Sequence, residues 1–157
     1  MNDTIERSQT HATFVIERAY PAPVERVWRA LSDNDARDQW FGAGEAFDIE
    51  EKSHEFRVGG RGMEDGQWHG GPRSRFESTY TDIVDLERIV FTYDMWIDGR
   101  HLSTSLTTIA LERDGDQTRL TYTEQGVHFD GLDSVEGREE GSRGLLDQLG
   151  SYLSPGH

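Results

Sequence analysis

The last part of the chain contains the segment that most limits the fold, because it is glycine-rich at one end and leucine-rich at the other. In residues 138–153 the leucines and Tyr152 recur at helical spacing and share one face, which has to be buried. Glycines and Ser142 lie on or beside that face one to two turns earlier, although each glycine in a helix interior costs about 0.5–1 kcal/mol relative to alanine. The pattern predicts a helix from about Ser134 to Leu153, with its leucine half in the core and its glycine half covering a cavity.

This helix carries several more specific expectations. Gly141 and Gly144 are expected to leave room for a ligand, and Arg138 to point into the cavity as the only full charge from this helix. The alternative is a helix start that is poorly optimised and partly frayed. The side chains expected to be buried are Leu145, Leu149 and either Tyr152 or Leu153.

The chain before this helix changes from helical to alternating periodicity. Pro21 and Pro23 end a first strand, Val24–Leu31 has helical spacing, and a second short turn carries Trp40 and Phe41. About eighty residues of alternation follow, which is typical of antiparallel strands separated by turns such as Gly59–Gly62 and His69–Pro72. The predicted strands are Ala12–Tyr20, Phe47–Glu51, Glu55–Val58, Arg75–Val84, Ile89–Ile97, Leu102–Leu111 and Arg119–Glu124.

Composition limits the class of protein and its partners. With 157 residues and 34% hydrophobic residues the chain fits one domain, predicted at residues 12–154 after a polar tail at 1–11. A net charge of -14 repels phosphate groups, so neither nucleic acid nor a membrane surface is an expected partner. The absence of cysteine excludes disulfides and thiol chemistry. A polar N-terminus without an apolar run favours a cytoplasmic location.

Five stretches, in this order, resemble the START-like, helix-grip (SRPBCC) superfamily and, within it, the activator-of-heat-shock-protein-ninety-ATPase homologue family. They are ERAYPAPVERVWRAL (17–31), DQWFG (38–42), DIVDLERIVFTYDM (82–95), TRLTYTEQG (118–126) and EEGSRGLLDQLGSYL (139–153). The resemblance implies an α+β helix-grip fold, in which a seven-stranded antiparallel sheet curves around a long C-terminal helix and two short helices follow the first strand. It also implies a hydrophobic cavity, which in relatives holds lipids, sterols, polyketide intermediates or hormones. A further implication is a relation to polyketide cyclases and to proteins of the stress response.

Neither a cofactor nor a metal ion is expected. The chain has no nucleophile elbow, P-loop or dinucleotide-binding glycine pattern. Its histidines are scattered, with no pair at helical ligand spacing. They are His11, His54, His69, His101, His128 and His157.

Ionisable residues in otherwise apolar strands are the candidates for chemistry, because burying a charge requires a partner or a ligand. Glu124 and Asp94 are alternative salt-bridge partners for Arg138, in a pair that either binds a polar head group or closes the end of the sheet. No catalytic residue is assigned, although Glu124, Asp94 or His128 is the candidate general base if the protein is an enzyme. The predicted cavity residues are Phe41, Trp68, Phe76, Tyr80, Phe91, Tyr93, Tyr122, Glu124, Arg138, Gly141, Ser142 and Leu145.

The sequence leaves three functions open, and we favour the first. It is a soluble protein that binds one hydrophobic or amphipathic small molecule between sheet and terminal helix. The second is a cyclase or hydrolase that uses a carboxylate or histidine in that cavity, and the third is an interaction protein that binds a chaperone or itself. A carboxylate paired with Arg138 favours binding, an unpaired buried carboxylate favours the enzyme, and a filled core with an exposed apolar patch favours interaction.

Overall fold

The computed structural model describes residues 6–154, which fold as one antiparallel sheet of seven strands with helices packed on one side. The strands are β1 Gln9–Tyr20, β2 Phe47–His54, β3 Arg61–Trp68, β4 Arg73–Val84, β5 Arg88–Ile97, β6 Arg100–Asp114 and β7 Gln117–Phe129. The helices are α1 Val24–Ser32, α2 Asn34–Arg37 and α3 Val135–Leu153, with one 3₁₀ turn at Gly44–Ala46.

The order of strands in the sheet is β1-β7-β6-β5-β4-β3-β2, with every neighbouring pair antiparallel. Successive hairpins join β2 to β7, and β1 returns to pair with β7 from Gln9↔Phe129 to Tyr20↔Thr118. Register shifts at Tyr80/Asp82 and Met95/Trp96 are bulges, which bend strands and increase their twist. The sheet therefore curves around α3, and the predicted helix-grip fold is confirmed.

The C-terminal half of α3 packs into the core as predicted. Leu149 and Leu153 have no solvent exposure, and Leu146 is 3% exposed. Leu145, expected to be buried, is only half-buried, because it lies between the core and the cavity. The start of the helix is ordered rather than frayed, since Ser134 caps it by accepting a hydrogen bond of 2.9 Å from the backbone N–H of Gly137.

Side chains from the N-terminal part of the chain attach to α3. The Tyr20 hydroxyl donates a hydrogen bond of 2.8 Å to the Leu146 carbonyl. Arg26 donates to the carbonyls of Leu153 and Tyr152, at 2.7 and 3.2 Å. These last carbonyls have no partner within the helix, so Arg26 both satisfies them and holds the helix end against α1.

One predicted strand is wrong. Glu55–Val58 forms a loop, and the third strand is β3 at 61–68, in a stretch that the sequence suggested was a turn and a loop. Phe56 made this stretch look like a strand in the sequence, because it is an apolar residue between polar ones. In the structure its side chain packs against the core from a loop.

Two glycines concealed β3 in the sequence, because they remove side chains from the alternating pattern. A Cβ at Gly62 would lie 2.6 Å from the Ser78 hydroxyl oxygen. A Cβ at Gly66 would lie 2.3 Å from the Asp48 carbonyl oxygen and 2.7 Å from the Phe47 ring. Both glycines are therefore required for close packing with neighbouring strands.

The predicted boundary of the N-terminal tail also changes. β1 begins at Gln9, so residues 9–11 belong to the sheet, and His11 pairs with Val127 of β7. The first five residues of the predicted tail lie outside the residues that the structure describes.

Leu149→Ala should lower the free energy of unfolding by about 2–5 kcal/mol, because the side chain is fully buried and its removal leaves a cavity. Urea denaturation measures the change. Leu106→Ala is the matched control, since Leu106 is 37% exposed, and it should cost less than about 1 kcal/mol. Equal losses in the two variants would contradict the assignment of Leu149 to the core.

Candidate functional site: a cavity between sheet and terminal helix

A cavity of about 540 Å³ lies between the inner face of β4–β7 and the helices. Its volume falls in the range of about 300–1,000 Å³ typical of small-molecule sites. Its helical side comes from the first half of α3, together with residues of α1 and α2. The predicted cavity residues that line it are Phe41, Phe76, Tyr80, Phe91, Tyr93, Tyr122, Arg138, Gly141, Ser142 and Leu145.

Aromatic rings form a continuous wall on the sheet side of this cavity. The ring centroids of Phe76 and Tyr93 are 5.2 Å apart, those of Phe91 and Tyr93 6.0 Å, and those of Tyr80 and Phe91 5.8 Å. The rings are tilted or edge-on, as aromatic pairs prefer. They face one way because alternate residues of a strand point to the same side of the sheet. The wall can therefore contact an apolar ligand along two neighbouring strands, β4 and β5.

Two glycines of α3 line the helix side of the cavity, and for Gly141 the sequence predicted this role. Gly141 lines the cavity, and a Cβ at this position would have no atom within 4 Å. Gly137 lines it as well, but a Cβ there would lie 2.8 Å from the Ser134 hydroxyl oxygen, so this glycine makes room for the helix cap. Gly144 is equally free of contacts but is exposed outside the cavity lining, so the prediction that it makes room for a ligand is wrong. Its place on the helix turns it away from the sheet.

A buried carboxylate lies behind one end of the aromatic wall. Glu124 of β7 has only 1% of its surface exposed. The Tyr93 hydroxyl lies 2.8 Å from both carboxylate oxygens, and the Tyr122 hydroxyl donates at 2.9 Å to Oε1. Thr107 donates a weaker bond at 3.4 Å. Burial, followed by the nearby charge of Glu124, raises the pKa of Tyr93, so this phenol keeps the proton that it donates.

Arg138 supplies the opposite charge from α3. Its Nη1 lies 3.6 Å from Glu124 Oε2, and its Nη2 donates at 3.0 Å to Asp133 and at 2.7 Å to the Ser103 hydroxyl. Nη1 also donates at 3.1 Å to the Tyr93 hydroxyl. Burial lowers the pKa of Arg138, but the opposing charges around it outweigh burial and raise the value overall. Arg138 thus points inward as predicted, and Glu124 is its partner.

The other candidate acids and bases have different partners. Asp94 lies 2.9 Å from His101 Nε2 and accepts a hydrogen bond from Thr104, so it is not the partner of Arg138. His128 is buried, and its Nδ1 lies 2.7 Å from Asp133 Oδ1, which connects it to the Arg138 network. Neither Asp94 nor His128 lines the cavity.

The two remaining predicted residues border the cavity without lining it. Glu124 lies beneath the tyrosines that contact it. Trp68 lines a smaller adjoining pocket of about 160 Å³, which shares Phe41, Phe76 and Leu145 with the main cavity. Sequence reasoning missed other lining residues, including Leu31, Arg37, Met95, Leu102, Ile109 and Asp133.

A neutral hydrogen-bonded chain that includes Tyr80 lies close to Arg37, and both of these residues line the cavity. His54 Nε2 lies 2.5 Å from the Tyr80 hydroxyl, and its Nδ1 lies 2.6 Å from Asn34 Oδ1. The arrangement fits a neutral ring that donates from Nδ1 to the amide oxygen and accepts at Nε2 from the phenol. Burial, reinforced by the charge of Arg37, lowers the pKa of His54 to about 4.

Within residues 6–154, no three acidic or histidine side chains converge where they could hold a metal ion. No helix in this part of the chain is long and apolar enough to cross a membrane.

A seven-stranded antiparallel sheet curved around a terminal helix, with a cavity between them, defines the START-like, helix-grip class of the SRPBCC superfamily. The chain belongs to the activator of Hsp90 ATPase homolog 1-like family, whose family model matches residues 21–154. The resemblance drawn from the sequence is confirmed.

Solved structures of bacterial proteins share the whole fold. Mll3558 from Rhizobium loti is 47% identical, with a TM-score of 0.86 over 93% of this chain and 99% of that one. A protein from Rhizobium leguminosarum is 36% identical, with a TM-score of 0.89 over 94% and 97% of the two chains. CV1439 from Chromobacterium violaceum is 28% identical, with a TM-score of 0.75 over 91% and 97%. No curated protein matches the chain.

Arg138→Met should lower the free energy of unfolding by about 3–5 kcal/mol, because it leaves the Glu124 carboxylate buried without its cation. Adding Glu124→Gln should restore much of that loss, since the remaining charge is then removed. Chemical denaturation of the two single variants and the double variant measures the coupling. Additive effects in this cycle would mean that the two charges do not depend on each other.

His54 should make folding less favourable as the pH falls from about 6.5 to about 4. The folded chain keeps this ring neutral in that window while the unfolded chain takes up a proton, so acid favours unfolding. His54→Gln should show a weaker loss of stability over the same window, measured as the pH dependence of thermal unfolding relative to the unmodified protein. A parallel pH profile in the two proteins would contradict the lowered pKa.

Proposed function

We propose that this protein binds one hydrophobic or amphipathic small molecule in the cavity between the sheet and α3. The main support is a cavity of about 540 Å³ whose sheet side is aromatic and whose helix side is kept open by Gly141. A core optimised only for stability would fill such a space, because empty volume costs roughly 1 kcal/mol for each missing methyl group.

The state of Glu124 favours binding over catalysis. A general base needs a free lone pair directed at the substrate. Both oxygens of Glu124 accept hydrogen bonds, from Tyr93, Tyr122 and Thr107, and Arg138 balances its charge. Tyr93, Tyr122 and Arg138 line the cavity whereas Glu124 does not, so we assign Glu124 a structural and orienting role.

The interaction-protein alternative has less support in the described residues. It expects a filled core and a contiguous exposed apolar patch, whereas the core contains a cavity. The large hydrophobic side chains that are exposed belong to separate elements and a loop. They are Val15, Ile49, Val58 and Leu106.

Gly141→Leu should abolish or strongly weaken binding of the neutral fluorescent probe phenyl-naphthylamine while leaving thermal stability unchanged or higher. A Cβ at this cavity-lining position would have no atom within 4 Å, so a leucine can be accommodated by occupying ligand space, and helix propensity favours it by up to about 1 kcal/mol. Fluorescence titration and thermal unfolding measure the two effects separately.

Gly144→Leu is the matched control, because this glycine is on the same helix and equally free of contacts but outside the cavity lining. It should keep probe binding. Loss of binding in both variants, or in neither, would contradict a ligand site beneath Gly141. Native mass spectrometry of the protein from its own host is the direct search for a retained ligand.

A further inference from the structure

Two arginines line the cavity, and they differ in what balances their charge. Arg138 is close to two carboxylates, with Glu124 at 3.6 Å and Asp133 at 3.0 Å, and it donates hydrogen bonds to hydroxyl groups. Its binding capacity is therefore used by the protein itself. Arg37, the last residue of α2, also lines the cavity but has no such partners.

The Arg37 guanidinium lies over an aromatic ring. Its central carbon is 3.7 Å from the centroid of the Phe41 ring, which is a close cation–π contact. Within residues 6–154 the guanidinium makes neither an ion pair nor a side-chain hydrogen bond. Phe41 covers one flat face of the group, while the N–H groups at its edge remain available to an acceptor.

The charged groups around Arg37 do not replace a direct partner. Glu64 and Asp38 are the carboxylates whose charges reach it, and Asp38 is already bound to Lys52 at 2.8 Å. Burial raises the pKa of Glu64, although the charge of Arg37 acts in the opposite direction, and no direct ion pair joins the two side chains within residues 6–154. Tyr80 also lines the cavity, and burial raises the pKa of its hydroxyl group, so it supplies no negative charge to Arg37.

An arginine at the end of an apolar cavity loses hydration that a protein normally replaces with an ion pair or hydrogen bonds. Burial accordingly lowers the pKa of Arg37, in contrast to the raised pKa of Arg138. A planar guanidinium with free N–H groups is the side chain best suited to an acidic group, which it binds with two parallel hydrogen bonds.

We infer that the ligand is an amphipathic organic anion, whose acidic group binds Arg37 while its apolar part lies against the aromatic wall formed by Phe76, Tyr80, Phe91 and Tyr93. This inference rests on the proposed function, because it names the ligand class of the same cavity. The net charge of -14 opposes anions in general, so recognition depends on this local cation. The apolar wall supplies affinity, and Arg37 fixes the orientation.

Two probes with the same aromatic rings separate these contributions. Anilinonaphthalene sulfonate has an acidic group, and phenyl-naphthylamine lacks it. Arg37→Met should weaken sulfonate binding by roughly tenfold or more, because a charged hydrogen-bonding partner is lost, and should change binding of the neutral probe by less than about twofold. Arg37→Lys should retain part of the sulfonate affinity. Arg29→Met is the matched control, since Arg29 is exposed on α1 and does not line the cavity.

Thermal unfolding of the ligand-free variants distinguishes ligand binding from a structural role. Arg37→Met should unfold at the same or a higher temperature, since it removes a partly buried charge without a direct partner. A lower unfolding temperature with retained sulfonate binding would show that Arg37 stabilises the fold instead. Equal weakening of both probes would also overturn the inference.

The two proposals can fail separately. If the neutral probe binds and Arg37→Met leaves sulfonate binding unchanged, the anion inference is wrong and the proposed cavity function stands. If neither probe binds the unmodified protein, both are wrong.

Discussion

The buried contact between Glu124 and Arg138 is the interaction on which the rest of the site depends. It joins the sheet to the first half of α3, at the end of the cavity where leucine packing has stopped. A carboxylate with 1% exposure is stable there only because tyrosine hydroxyls and a guanidinium surround it. The helix can therefore remain close to the sheet without filling the space beneath it, and the cavity persists because its polar end is satisfied by the protein.

This arrangement gives the cavity two chemically different ends. At one end, charges and hydroxyls are matched within the protein, so little hydrogen-bonding capacity remains for a ligand. At the other end, Arg37 lies over Phe41 without a direct partner among the described residues, next to the neutral pair of His54 and Tyr80. The aromatic wall accepts apolar groups of many shapes, so it does not select between ligands by itself. Selectivity for a ligand comes from the hydrogen-bond donors that the protein leaves unused, which are those of Arg37.

Much of the fold could be predicted because periodicity follows directly from geometry. Tyr80, Phe91 and Tyr93 were predicted as cavity residues and do line the cavity, and the leucine spacing located α3 to within a residue. The same rule could have excluded Asp94 as the partner of Arg138, because successive residues of a strand face opposite sides and Tyr93 faces inward. Glu124 was the remaining candidate partner of Arg138. Its position in the assembled sheet, rather than the pattern within its own strand, determines that it lies next to Arg138.

What the sequence did not predict depends on residues that carry no periodic signal. β3 was missed because Gly62 and Gly66 have no side chains to alternate, although close packing requires glycine at both. Arg37 was missed because it ends a helix of only four residues, and the path of the chain after α1 determines where it points. Gly141 and Gly144 cannot be told apart by residue type. Only the orientation of α3 against the sheet determines that Gly141 lines the cavity and Gly144 does not.

The pairing of β1 with β7 has a consequence for how the molecule assembles. β1 ends at Tyr20, and the strand that pairs with it begins at Gln117, so nearly the whole sheet is synthesised before the first strand has a partner. Contacts between such distant parts of a chain close slowly, because loop entropy has to be overcome before they form. Until then β1 is an unpaired strand that presents Phe14 and Ile16 to solvent, and the nascent protein is most prone to aggregate in this interval.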